Sequence, residues 1–261
     1  MKIPLYVIDA FTRRLFGGNP AAVCPLAEWL PDDVMQKVGQ ENNLSETAFF
    51  VRESEGTYGL RWFTPAVEVD LCGHATLASA FAIFNFIEAS ATSVTFNTRS
   101  GSLRVARDGE RLTLDLPARR AVPCDAPAAL FDGLRERPRE VFRSSVDYLA
   151  VYGSEDEVRA LRPDMSLLAT LDSQGVIVTA PGRESDCASR YFAPGVGIPE
   201  DPVTGAAHCT LAPYWAEILS KREIHALQVS ARGGELFCED AGDRVKVSGH
   251  AVRYSEGFIY I

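Results

Sequence analysis

The chain contains one short sequence twice. Residues 73–78 read GHATLA, and residues 207–212 read AHCTLA. The segments on either side repeat in the same order: WFTPAV at 62–67 matches YFAPGV at 191–196, and RSGSL at 99–103 matches RGGEL at 232–236. Three matched segments in one order predict two similar halves, each containing a helix that begins near the repeat.

A duplication of this kind normally relates two halves by a pseudo-twofold axis. We expect a first half at 1–117, joined by a C-terminal strand at 251–261, and a second half at 118–250. The proline- and arginine-rich segment 117–123 is the predicted hinge. Free N–H groups at helix N-termini suit a carboxylate, so the expected active site is a cleft where the two helix starts face each other.

Composition narrows the function classes. Of the 261 residues, 46% are hydrophobic, and the net charge of −9 includes no basic run that could follow a phosphate backbone. No apolar stretch reaches the 18 residues of a membrane span, and the N-terminus lacks a signal-peptide pattern. The six cysteines are widely spaced without a Cys-x-x-Cys pair. We therefore expect a cytoplasmic protein with reduced thiols, no metal site, and neither nucleic-acid nor membrane partners.

Hydrophobic periodicity predicts an α+β protein with many short strands and two strongly apolar helices. The apolar helices are predicted at 73–88 and 205–219, and shorter helices at 31–40 and 127–135. The clearest strands are predicted at 6–11, 21–25, 45–52, 58–63, 147–152 and 176–180.

Glu46 is the first candidate for chemistry. It enters the otherwise apolar segment 47–50, and burial would disfavour its charged form and make it a stronger base. The alternative is a surface glutamate on an alternating strand.

Cys72 and His74 flank Gly73 at the first apolar helix. The positive helix end favours a neutral, donating imidazole and a reactive thiolate. The alternatives are a helix-capping or packing histidine and a buried, inert cysteine. Asp201 and His208 lie near the second helix start, where the alternatives are an N-terminal helix acid for Asp201 and a structural role for His208.

The turn at 17–20, GGNP, could present backbone N–H groups to a ligand or be a plain turn. There is no Gly-x-Gly-x-x-Gly after a strand and no phosphate-binding lysine loop, so a reaction without a cofactor is expected.

Taken together, these motifs resemble those of the PhzF-like isomerase family of phenazine biosynthesis. The resemblance covers almost the whole chain and rests on motifs in family order: DAFT at 9–12, GGNPAAV at 17–23, NLSET at 43–47, FTP at 63–65, CGHAT at 72–76 and EDPVTG at 200–205. It implies a diaminopimelate-epimerase-like fold, in which two pseudo-symmetric halves each wrap a β-barrel-like sheet around a central helix. It also implies a homodimer.

The resemblance further implies the roles of individual residues. Glu46 takes and returns a proton, and His74 and Asp201 belong to the same catalytic cluster. A small carboxylate-bearing substrate is then held by Gly18, Asn19, Cys72, Gly73, Gly205 and Ala206, the glycines and Ala206 through backbone N–H groups.

Two departures keep alternatives open. The family's phenazine enzyme, an isomerase of a hydroxylated dihydro-anthranilate, carries serine where this chain has Ala206, so its substrate is not carried over. Cys72 stands where related epimerases and proline racemases carry their first catalytic cysteine, but the counterpart of the second falls at 201–202, without a thiol. The alternatives are an asymmetric epimerase or racemase using Cys72, and a ligand-binding protein without catalysis.

Overall fold

The computed structural model describes residues 1–261. It contains eighteen strands and six α-helices, together with a π-helical turn at Ile83–Ile87 and a 3₁₀ turn at Pro194–Val196. The helices are α1 (Asp32–Asn42), α2 (Gly73–Ala82), α3 (Ala128–Leu134), α4 (Glu155–Ala160), α5 (Met165–Leu168) and α6 (Gly205–Leu219). The strands are β1 (Lys2–Ala10), β2 (Asn19–Leu26), β3 (Glu46–Ser54), β4 (Thr57–Phe63), β5 (Glu68–Val69), β6 (Ser93–Thr98), β7 (Gly101–Asp108), β8 (Arg111–Pro117), β9 (Val122–Pro123), β10 (Glu140–Arg143), β11 (Asp147–Val151), β12 (Gly175–Pro181), β13 (Cys187–Ala193), β14 (Ile198–Asp201), β15 (Glu223–Gln228), β16 (Gly234–Asp240), β17 (Arg244–Gly249) and β18 (Ala251–Tyr260).

The chain divides into two compact units. Unit 1 comprises Met1–Asp115 and Ser248–Ile261, and unit 2 comprises Leu116–Val247. The chain passes from one unit to the other within β8 and again within β17.

The sheet of unit 1 mixes parallel and antiparallel pairs. β1 lies antiparallel between β18 and β2, and β2 runs parallel to β3. β3 pairs antiparallel with β4, β4 runs parallel to β6, and β6 pairs antiparallel with β7. The short β5 adds an antiparallel pair to β4.

The sheet of unit 2 repeats this pattern strand by strand. β10 is antiparallel to β11, β11 is parallel to β12, and β12 is antiparallel to β13. β13 then runs parallel to β15, which is antiparallel to β16, and the short β14 adds an antiparallel pair to β13. The predicted α+β class and the prediction of two similar halves are confirmed, because the same sequence of pairings occurs twice.

Each unit has one strongly apolar helix. α2 packs on β1, β2 and β3, and nine of its ten residues are buried. α6 packs on β15 and β16 in the same way. A helix that is apolar on every side must be surrounded by protein, which explains why the sheet of each unit lies against its helix.

The helix predicted at 73–88 is continuous in space but changes its hydrogen bonding. The α-helical part ends at Ala82, and a π-helical turn follows, closed by the bond from the Glu88 N–H to the Ile83 carbonyl. The helix predicted at 31–40 runs from Asp32 to Asn42. It stops because Asn43 adopts a left-handed conformation, in which its N–H bonds to the carbonyl of Gly39.

Candidate active site

A tightly turned segment brings the first site residue into place. The Phe16 N–H donates to Oδ2 of Asp9, and Gly18 has a positive φ of 62°. A Cβ atom on Gly18 would overlap the carbonyl oxygen of Ala10, so this turn requires glycine. Asn19 follows as the fully buried first residue of β2.

Glu46 is the first residue of β3, which lies beside β2 with Ala21 opposite Glu46. The residue is 7% exposed, so the surface alternative for it is wrong. Residues 47–50 are all buried, so β3 begins inside the core. Glu46 is buried because it directly precedes them in the strand.

Cys72 and His74 are positioned by the start of α2. Cys72 is the N-cap residue, Gly73 opens the helix, and His74 is the second helical residue. Cys72 and His74 are both buried. The Thr76 hydroxyl donates to the carbonyl of Cys72 at 2.5 Å, which fixes this turn against the helix.

The imidazole of His74 is the centre of the unit 1 cluster. Its Nε2 lies 3.0 Å from Oε2 of Glu46, and its Nδ1 lies 3.1 Å from Nδ2 of Asn19 and 3.5 Å from Sγ of Cys72. The contact with Glu46 is an ion pair between two buried side chains.

Burial and charge set the protonation of these groups. Burial, reinforced by the charge of Glu46, raises the pKa of the Cys72 thiol to about 11. Burial opposes a charged imidazole, but Cys72 and Glu46 outweigh it and hold the pKa of His74 well above its usual value. Both shifts run against the expectation of a reactive thiolate and a neutral ring at this helix start, because burial and the contacts within the cluster act in the opposite direction to the helix terminus.

The same three residues offer one sulfur, one nitrogen and one oxygen within 4.8 Å of one another. Cys72 meets the ring of His74 at Nδ1, whereas Glu46 meets it at Nε2. The lone pairs of the two ring nitrogens diverge, so the contacts with Cys72 and Glu46 lie on different sides of the ring.

The predicted residues of unit 2 form a second cluster. Asp201 is the last residue of β14 and is buried. Its Oδ2 accepts a hydrogen bond of 2.6 Å from the hydroxyl of Thr204, and Gln228 of β15 donates to its backbone carbonyl at 2.8 Å. Thr204 is the N-cap of α6, so Asp201 lies three residues before this N-cap residue and bonds to its side chain.

Gly205 and Ala206 are the first two residues of α6. They occupy the places that Gly73 and His74 hold in α2. The two helix starts are therefore two residues closer together in the sequence than the repeated segments at 73–78 and 207–212. His208 lies deeper in the helix, where its Nδ1–H donates to the carbonyl of Thr204 at 2.8 Å. Burial lowers the pKa of His208 to about 4, which fits a structural role.

The structure thus brings Asn19, Glu46, Cys72 and His74 together in unit 1, with Gly18 and Gly73 as their chain neighbours. Asp201, Gly205 and Ala206 lie in unit 2. Sequence reasoning missed Gln228, which is almost fully buried against Asp201 and Thr204. Its only sequence signal is a polar residue at the end of an alternating strand, which is common on surfaces.

No helix of the structure is both long and apolar enough to cross a membrane. A family model described as "phenazine biosynthesis-like protein" matches residues 8–257. An uncharacterized isomerase of Pseudomonas aeruginosa is 49% identical over 259 residues, covering 99% of each chain.

Among solved structures, the Enterococcus faecalis member of the phenazine biosynthesis protein PhzF family superposes with a TM-score of 0.96. It is 44% identical and covers 100% of both chains. A hydroxyproline epimerase from Agrobacterium vitis shares the fold with a TM-score of 0.62 at 13% identity, covering 99% of this chain and 91% of the epimerase. The fold is therefore diaminopimelate-epimerase-like, and the chain belongs to the PhzF family of phenazine biosynthesis-like proteins.

Proposed function

We propose that the protein is an isomerase that works without a cofactor and moves a proton on a small carboxylate-bearing substrate. The observation that carries this proposal is the buried pair of Glu46 and His74, with 3.0 Å between Oε2 and Nε2. Two ionisable side chains removed from water and held in contact are expected where protons are transferred.

The relatives support the same class of reaction. Curated proteins about half identical to this chain are named isomerases, and the more distant hydroxyproline epimerase shares the fold. Isomerases and epimerases of this kind can both act by removing a proton from carbon and returning one.

In the proposed reaction, the carboxylate of Glu46 takes a proton from a carbon of the substrate. The electron pair of the broken C–H bond moves into the adjacent conjugated system, and a proton then returns to another carbon. His74 and Asp201 are the proposed groups that hold or relay the second proton. Exclusion of water would strengthen these electrostatic interactions.

The proposed substrate contacts use backbone and amide groups. The N–H groups at the start of α2, near Gly73, and at the start of α6, near Gly205 and Ala206, suit an anion. Gly18, Asn19 and Cys72 complete the proposed binding residues. Ala206 brings no hydroxyl, so we propose a substrate other than that of the phenazine enzyme.

An epimerase that uses Cys72 as its base is the main rival. The contact of Sγ with Nδ1 of His74 at 3.5 Å favours it, because a charged imidazole beside the sulfur stabilises a thiolate. The pKa of about 11 argues against it, because it leaves little thiolate at neutral pH.

The test is proton NMR in deuterated water with a panel of small carboxylates, including a hydroxylated dihydro-anthranilate. The proposal predicts that at least one compound gains deuterium on carbon in the presence of the protein and is converted to an isomer. If several compounds bind and none exchanges at any carbon, the protein is a ligand-binding member of the family.

A further inference from the structure

Three buried side chains of unit 2 form a continuous hydrogen-bonded chain. The hydroxyl Oγ1 of Thr204 lies 2.6 Å from Oδ2 of Asp201 and 3.1 Å from Nε2 of Gln228. Gln228 also accepts from the Thr204 backbone N–H at 2.8 Å and donates to the Asp201 carbonyl at 2.8 Å. All three side chains are buried.

The donor and the acceptor of each of these hydrogen bonds follow from the chemistry of the groups. A backbone N–H can only donate, so the amide oxygen of Gln228 faces Thr204 N and its Nε2 must be the donor to the other two atoms. The Thr204 hydroxyl accepts from Nε2 and has one proton of its own. That proton therefore points to Oδ2 of Asp201.

We propose that Thr204 and Gln228 are positioning residues for Asp201, which together hold its carboxylate in one orientation as a hydrogen-bond acceptor. The inference deepens the proposed function, on which the importance of Asp201 rests. The 2.6 Å separation is in the range of a hydroxyl bound to a charged carboxylate. A hydrogen bond to the charged form stabilises that form over the protonated acid.

Other titratable groups of unit 2 lie near Asp201. Tyr191 of β13 lies opposite Asp201 in the strand pairing, and its hydroxyl donates to Oδ1 of Asp147 at 2.9 Å. Burial raises the pKa of Tyr191 far above neutral, and burial also raises the pKa of Asp147 above its usual value. His208 of α6 is neutral above about pH 4, and the neighbouring Glu200 is paired with Arg190 at 2.7 Å.

The test is the pH titration of the Asp201 carboxyl carbon by ¹³C NMR, with the signal assigned by its absence in Asp201→Asn. Thr204→Val keeps the shape of the side chain and removes the hydroxyl. The proposal predicts that this variant raises the pKa of Asp201 by about one unit. Thr204→Ser, which restores a hydroxyl, is predicted to titrate like wild type.

Thr210 provides a matched control on the same helix. It is fully buried and its Oγ1 has no hydrogen-bond partner, so Thr210→Val removes a buried hydroxyl without touching Asp201. It is predicted to leave the titration unchanged. An unchanged pKa in Thr204→Val, or the same shift in Thr210→Val, would overturn the proposal.

A measurement on the wild-type protein covers the case in which Thr204→Val does not fold. The hydroxyl proton of Thr204 should exchange slowly with water and appear in the proton NMR spectrum, and Asp201→Asn should shift it strongly. A hydroxyl in fast exchange would contradict the proposal. Neither readout needs turnover, so a protein that titrates as predicted but exchanges no substrate would fail only the proposed function.

Discussion

At the scale of single residues, a few ionisable side chains of this protein are buried. Glu46 and His74 form one buried pair in unit 1, and His208 lies fully buried in unit 2. The charge of Glu46 favours the charged form of the imidazole of His74. His208 has a carbonyl partner and no countercharge, and its pKa therefore moves down rather than up.

His208 should make the folded state sensitive to acid. Its pKa is about 4 in the folded protein and about 6.5 when the chain unfolds, so the unfolded state binds the extra proton. Stability is fully present above about pH 6.5 and is lost as the pH falls towards 4, by about 3 kcal/mol in total. The measurement is urea unfolding at several pH values, in which His208→Gln should lose that part of the pH dependence. Parallel curves for the two proteins would contradict it.

Part of the candidate site could be predicted from single positions. Glu46 is a carboxylate entering an apolar strand and His74 follows the helix start, and both features are local in the sequence. Gln228 could not be found in this way, because its contact with Thr204 depends on β15 lying parallel to β13, a pairing between distant segments. The pKa of His74 was also missed, since it depends on neighbours that only the folded chain supplies.

At the scale of elements, the turn before β2 stands out because its backbone is strained. Phe11, Phe16 and Gly18 all have positive φ values, and the turn delivers Asn19 to the ring of His74. Residues other than glycine rarely adopt such backbone angles, so the surrounding contacts must hold this segment in place.

Gly18→Ala tests that turn. A methyl group there would meet the Ala10 carbonyl as well as a positive φ, and we expect a loss of about 3 kcal/mol in the free energy of unfolding. The control is Gly109→Ala, which also has a positive φ but has open space around the added methyl group, and should cost about 1 kcal/mol. Urea unfolding of both variants provides the comparison, and equal losses would show that the close approach to Ala10 is unimportant.

Elements differ in how well the sequence predicted them. The helix at 31–40 was predicted well, because Pro31 and two aspartates mark its start and Asn43 its end. The six-residue α4 and the four-residue α5 were not predicted, since so few residues complete hardly more than one helical period. The change to a π-helical turn at Ile83 could not be predicted, because it alters no feature of the apolar sequence pattern.

At the scale of the whole molecule, the repeated motif predicted the repeated fold. The two units share one order of parallel and antiparallel pairs, although their chemistry has diverged. Unit 1 places a histidine at the second position of its helix, whereas unit 2 places Ala206 there and an aspartate upstream. Proton transfer by such a chain is then expected to be asymmetric, with Glu46 as its principal base.

The most direct test of that claim is the rate at which solvent deuterium enters a substrate carbon, measured by NMR for Glu46→Gln and Cys72→Ser side by side. The control is Glu41→Gln, the same change at an exposed glutamate of α1. We predict a loss of about 100-fold or more in Glu46→Gln and rates near wild type in the other two variants. Exchange that survives in Glu46→Gln and disappears in Cys72→Ser would contradict the account and make the thiol the base.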